Sequence, residues 1–342
     1  MTTTTSNPYR LSRNVLPTHY ALTLEPDLDA ATFSGSVDIT LEVAESTTEI
    51  ILNTAELDIQ LAVLDGAPAA IIFDEENERA TIFLSSQALP GSAKLHLEFT
   101  GILNDKLRGF YRSRFTDDDG VEHNIATTQF ESTDARRAFP CFDEPDFKAT
   151  FGVTLIVPQG EFAVSNGPET SSEIREDGKR VVAFADTMKM STYLVAFIVG
   201  PFEATDPVDV DGVPLRIVHP IGKGHLAAYA LEVGEFCLRH FSKYYDIPYP
   251  DKKVDLVAVP DFAAGAMENV GCITFREVLL LLDREKVTQG ELTRVADVIA
   301  HELAHMWFGD LVTMRWWNGI WLNEAFATFM ATAAVDAFQP KW

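Results

Sequence analysis

The stretch "HELAHMWFGDLVTMRWWNGIWLNEAFATF", residues 301–329, decides how this chain is read. It opens with His301, Glu302 and His305. On an α-helix, residues four apart lie about 40° apart around the axis and roughly 6 Å apart along it, so both imidazoles reach one metal ion. Chance is the competing explanation. With 8 histidines in 342 residues, a random H-E-x-x-H arises in on the order of one such chain in a hundred. The upstream sequence supplies the helix that the metal reading needs. Thr288 with Glu291 three residues on makes a capping box that opens "QGELTRVADVIAHELAHMWF", residues 289–308, and Gly309 is positioned to close it.

A catalytic zinc generally takes three protein ligands and keeps a position open, so two histidines need a third partner. Glu324 follows within "WLNEAFATFMATAAVDAF", a run apolar enough to form a second buried helix. An acid inside such a run is costly unless it is paired or bound to metal. Glu302 points about 100° away from His301 around the helix, which suits it to accept a proton from a metal-activated water rather than to ligate. Together these residues predict one Zn2+ on His301, His305 and Glu324, with Glu302 as general base for peptide or amide hydrolysis. The other six histidines (His19, His96, His123, His219, His225, His240) have no ligand spacing and read as structural or surface groups.

Composition narrows the partners. The 27 basic and 51 acidic residues give a formal net charge of −24, which repels phosphate backbones and anionic bilayers, so nucleic acid is not expected. No apolar run approaches the roughly 20 residues that span a bilayer, and "MTTTTSNPYRLSRNVLPTHY" has no signal-like apolar core. A cytoplasmic protein without a membrane partner is the expectation, and its opening threonines read as a disordered end. Cys141, Cys237 and Cys272 have no C-x-x-C spacing and read as reduced thiols.

Period-two alternation dominates from about residue 19 to 205: Tyr20, Leu22, Leu24, then Val37, Ile39, Leu41, Val43, then Leu95, Leu97, Phe99. Broken by turns such as "DGAPAA" and "LPGSAK", it predicts antiparallel strands with one wet face. The Pro-, Asp- and Gly-rich segment 203–216 reads as a boundary. Beyond it, "GHLAAYALEVGEFCLRHFSKYYD" suits an amphipathic helix and "VDLVAVP" a buried strand. The fold class is therefore α+β and multidomain, with a β domain over 1–205 and a helix-bearing domain over 206–342.

A last informative stretch is "VPDFAAGAMENVGCITFRE", residues 259–277. Glu268 places a carboxylate in a loop or strand edge, where it suits the cationic α-amine of a peptide, although "GAMEN" alone reads equally well as an ordinary turn.

"GAMEN", HELAH and Glu324, in this order and spacing, closely resemble the zinc aminopeptidases that include aminopeptidase N and the puromycin-sensitive aminopeptidase. "TTQFESTDARRAFPCFDEPDFKATF" (127–151), "MSTYLVAFIVG" (190–200) and "LPTHYALTLEPDL" (16–28) extend the resemblance over nearly the whole chain. It implies a saddle-like β domain followed by a thermolysin-like zinc-peptidase domain. It also implies that Gly265, Ala266, Met267, Glu268 and Asn269 line the substrate backbone, that Glu268 binds the free N-terminus of a peptide, and that Gln129 and Glu131 stand at the amine end of the cleft. Val270 and Phe275 depart from the aromatic residue and the tyrosine common in relatives, which puts the pocket's shape in question. Relatives continue past the third ligand, and their oxyanion-stabilising tyrosine lies in that continuation, whereas all 8 tyrosines here occur at or before Tyr249. The expectation is an N-terminal fragment of an aminopeptidase, with a zinc- and peptide-binding fragment of weak or no activity as the alternative; an epoxide hydrolase finds no supporting feature. Oligomeric state and side-chain preference are not legible.

Overall fold

Alternating apolar residues become the buried face of a ten-stranded sheet, seen in a computed structural model that describes residues 9–117 and 119–342. The opening threonines, read above as a disordered end, lie outside the described residues. Val15–Asp27, Thr32–Val43 and Gly91–Ile102 are adjacent antiparallel strands whose register sets Leu22 opposite Val37, Val37 opposite Leu97, and Ile39 opposite Leu95. All of these side chains are buried, each contributing about 1.5–3 kcal/mol through loss of apolar surface to water. Gly35 sits between Leu24 and Phe99, whose side chains would lie 2.8 Å from an added Cβ, so the tight packing there requires glycine.

The sheet is not wholly antiparallel, as the alternation alone suggested. Val15–Asp27 runs parallel to Thr150–Val157 on its other side, a pairing that joins two distant parts of the chain and that period-two patterning cannot distinguish. A four-stranded antiparallel sheet carries Glu122–Gln129, which delivers Gln129 at its end and Glu131 just beyond it.

The segment 203–216, read as a boundary, carries strands of its own. It forms the short strands Phe202–Ala204 and Val208–Val210, which pair with Val213–Pro220 at the start of a third sheet of six strands. Its Asp-Gly turn, with Asp211 and Gly212 both at positive φ, is a hairpin signal within the Pro-, Asp- and Gly-rich composition. Within that sheet Val213–Pro220, Val254–Val259 and Cys272–Arg276 are parallel neighbours, and Ala266–Met267 forms the edge.

Three helices cover this sheet's neighbourhood: α1 (Ala228–Tyr245), α2 (Gln289–His305) and α3 (Ile320–Phe338). The capping box of α2 is complete, with the Thr288 hydroxyl accepting from the Glu291 amide and the Glu291 carboxylate accepting from the Thr288 amide. Thr288→Ala should therefore destabilise the fold by about 1 kcal/mol, read as a lower denaturation midpoint at unchanged slope. Helix α2 ends at His305 rather than running on to Phe308. The amides of Asp310, Leu311 and Val312 bond five residues back, to the carbonyls of His305, Met306 and Trp307, at 3.1, 3.3 and 3.2 Å. Gly309, at φ +136°, permits this wider turn. Helix α3 is buried on one face only; Trp321, Leu322 and Phe329 are exposed on it.

Candidate active site

The end of α2, the start of α3, the edge strand Ala266–Met267 and the segment after Gln129 converge on a cleft of about 360 Å³. Its lining includes Glu131, Gly265, Ala266, Glu268, His301, Glu302 and Glu324. His301 Nε2 lies 3.0 Å from His305 Nε2 and 3.3 Å from Glu324 Oε2, while His305 Nε2 lies 3.6 Å from Glu324 Oε1.

His305 Nδ1 is 2.9 Å from the Phe308 carbonyl oxygen. A carbonyl only accepts, so Nδ1 carries the proton and Nε2 presents its lone pair to the other two groups. The wide turn after α2 thus sets the tautomer that a metal ligand needs. Burial and the neighbouring His301 push the His305 pKa down to about 4, so the ring is neutral above that pH.

Carboxylates surround this trio. Glu302 is 5% exposed, and its carboxylate lies within 4.8 Å of both Glu268 and His305. Glu131, Glu268 and Glu324 form a second set within the same distance. Burial, then the charges of Glu268 and Glu324, raise Glu131 to about 9. Burial and Glu324 raise Glu268 to about 7, and burial with the surrounding acids raises Glu302 well above the usual range. Burial opposes ionisation of Glu324 as well, but its hydrogen bond to His301 and the two facing imidazoles outweigh it and lower its pKa. Glu268 Oε1 is buried without a hydrogen-bond partner. Such an excess of buried carboxylate is the arrangement that cations relieve, and two nitrogen donors with one carboxylate oxygen suit zinc.

Not every residue expected at the cleft lines it. Met267 is buried, its sulfur 3.4 Å from Gln129 Nε2, and Asn269 is buried with its amide donating to Thr274 Oγ1 at 3.1 Å. Strand alternation explains this, since Ala266 faces the cleft and Met267 faces away. Gln129 packs behind the lining. Val270 and Phe275 are fully buried and do not line it, although Phe275 is the strand partner of Ala266, which does. Conversely, Arg294, Asp297 and Val298 line it with Ile320. Their spacing of seven, four and three residues before His301 puts them on its helical face, a periodicity available in the sequence. Among the described residues, none of the other six histidines joins a group able to hold a metal, and all three cysteines are free and buried.

Comparison with known proteins agrees with this geometry. The Peptidase M1 N-terminal domain model matches residues 16–194 and the Peptidase family M1 domain model matches residues 229–342. Aminopeptidase M1 of Arabidopsis thaliana is 44% identical over 97% of this chain and 39% of its own length. From Saccharomyces cerevisiae, alanine/arginine aminopeptidase is 45% identical over 97% of this chain and 39% of its own length, and aminopeptidase 2, mitochondrial, is 44% identical over 99% and 36%. The chain thus spans less than two fifths of the length of these relatives, and among its described residues no helix is long and apolar enough to cross a membrane. With both domain models matched in order and the two histidines, the acid and the edge strand gathered in one cleft, the chain belongs to peptidase family M1.

Proposed function

We propose that this protein is a zinc-dependent aminopeptidase that removes N-terminal residues from peptides with a free amine. The observation that carries the reading is the adjacency of two acid groupings sharing Glu324: His301, His305 and Glu324 on one side, Glu131 and Glu268 on the other. The first would hold one Zn2+, and the second an ammonium group. Zinc, when bound, supplies Lewis acidity that activates water and polarises the scissile carbonyl. Glu302 accepts a proton from the attacking water and returns it to the leaving amine. The edge strand Ala266–Met267 offers backbone groups to an extended peptide, as exposed sheet edges do. Glu268 and Glu131 fix the amine and so measure one residue from the chain end.

Among the described residues no tyrosine lines the cleft. Loss of an oxyanion donor typically costs about 10² to 10³ in rate, so measured turnover reports whether another group supplies one. Three reduced cysteines suit a cytoplasmic location, and the net charge of −24 argues against nucleic acid as a partner.

The test compares alanyl amide with its N-acetylated form on the zinc-loaded chain, by hydrolysis and by competitive binding. Free-amine ligand should bind and turn over, and acetylated ligand should do neither. Glu268→Ala should weaken the free-amine ligand by about 1.5–3 kcal/mol, roughly ten- to a hundredfold, the range for a hydrogen bond to a charged group. Equal handling of the two ligands would mark an endopeptidase site instead.

A further inference from the structure

Asn166, at the end of the strand Phe162–Ser165, is fully buried. Its Nδ2 donates to two carbonyl oxygens, those of Leu194 and Val270, both at 2.8 Å. Its Oδ1 accepts from the Ala196 amide at 2.9 Å. Two acceptors on one side and a donor on the other fix the orientation of the amide. The contact with the "GAMEN" loop continues one residue further. Gly271, at φ +69°, lies so close that an added Cβ would meet the Asn166 carbonyl oxygen at 2.4 Å.

The second partner segment leads to the metal side of the cleft. Beside Leu194, Tyr193 donates its hydroxyl to the Gly309 carbonyl at 3.3 Å, in the turn that fixes the His305 tautomer, and packs edge-on against Trp317 at 5.4 Å. One side chain thus ties the loop bearing Glu268 to the segment that supports the end of α2 and the approach to α3. Lys253 holds the same loop independently, donating to the Gly271 carbonyl at 2.6 Å.

We infer that Asn166 is a positioning residue: its bond to the Val270 carbonyl sets the distance between Glu268 and the two histidines, and hence the fit of a substrate's amine. This rests on the aminopeptidase reading for its functional consequence, while the clamp itself stands on the contacts alone.

Asn166→Asp is the test, because it keeps the size and the acceptor for Ala196 but turns a carboxyl oxygen toward two carbonyls. Ser165→Ala is the control: Ser165 is equally buried and donates to the Ala196 carbonyl at 2.8 Å, within the same region but away from the loop. In Asn166→Asp, amide hydrogen exchange of residues 266–272 should accelerate at least about tenfold, as expected for losing roughly one net hydrogen bond. Zinc content should be unchanged, and the KM for alanyl amide should rise about tenfold with a smaller change in kcat. Ser165→Ala should lower thermal stability without moving loop exchange or KM. Loop exchange no faster in Asn166→Asp than in the control would overturn the inference. Should Asn166→Asp fail to fold, Asn166→Ala and Gly271→Ala replace it, the latter forcing the loop off Asn166 from the other side. If the wild-type chain neither binds nor hydrolyses the free-amine ligand, the aminopeptidase reading fails, and the exchange comparison still decides the clamp.

Discussion

Glu302→Gln is expected to keep zinc in place and to lower hydrolysis of an alanyl amide by at least the roughly hundredfold typical of losing a general base. The substitution is nearly isosteric, so the packing around a side chain only 5% exposed is preserved. What it removes is the capacity to take up and hand on a proton. Glu302 groups within 4.8 Å with Glu268 and His305 without belonging to the His301, His305 and Glu324 trio. Burial first, then the charges of Glu268 and Glu324, raise its pKa well above the usual carboxylate range when no metal is bound. Metal analysis alongside initial rates separates the two roles. Full activity in the variant would remove Glu302 from the mechanism, and loss of zinc would make it a ligand instead.

The grouping of His301, His305 and Glu324 was legible because helical spacing is a local rule. An i, i+4 pair behind a capping box needs no tertiary information, and Glu324 stood out as an acid in an apolar run. The strands of the first sheet were legible for the same reason, but their order was not, since the parallel pairing of Val15–Asp27 with Thr150–Val157 depends on contacts about 130 residues apart. The strands within segment 203–216 were not legible because Asp, Pro and Gly serve both linkers and tight hairpins, and the positive φ at Asp211 and Gly212 marks the hairpin. The end of α2 misled more subtly. Met306, Trp307 and Phe308 fit an apolar helix, yet a wide turn with bonds five residues back takes over there, and its geometry delivers the Phe308 carbonyl to His305. The loop at 265–269 was read as a row of lining residues, whereas alternation in a two-residue strand turns Met267 inward and leaves Ala266 at the cleft. Asn166 carried no spacing signal at all, because its partners come from two other segments of the chain.

His305→Ala and Glu324→Ala should both abolish zinc retention after dialysis, but through physically different sites. His305 is fully buried, and its removal strips a ligand while leaving the Phe308 carbonyl without its donor, a loss of about 1–3 kcal/mol for an unsatisfied buried group. Glu324 has a side chain 43% exposed on the rim of the cleft, so Glu324→Ala removes a ligand with little effect on packing. In both, two of the three donors remain, too few for the structural or catalytic zinc sites built from three or four protein ligands. The diagnostic is thermal unfolding with and without zinc. A ligand that binds only the folded state at a hundred times its Kd stabilises it by about 2.7 kcal/mol, so zinc should raise the wild-type midpoint and leave both variants unmoved. In the absence of zinc, Glu324→Ala should melt close to the wild type and His305→Ala below it. His240→Ala, away from the cleft, should retain the zinc-dependent shift. A zinc-dependent shift persisting in both ligand variants would mean that the metal, if bound, sits on other groups, and the acid cluster of Glu131, Glu268 and Glu324 would then be the set to dissect.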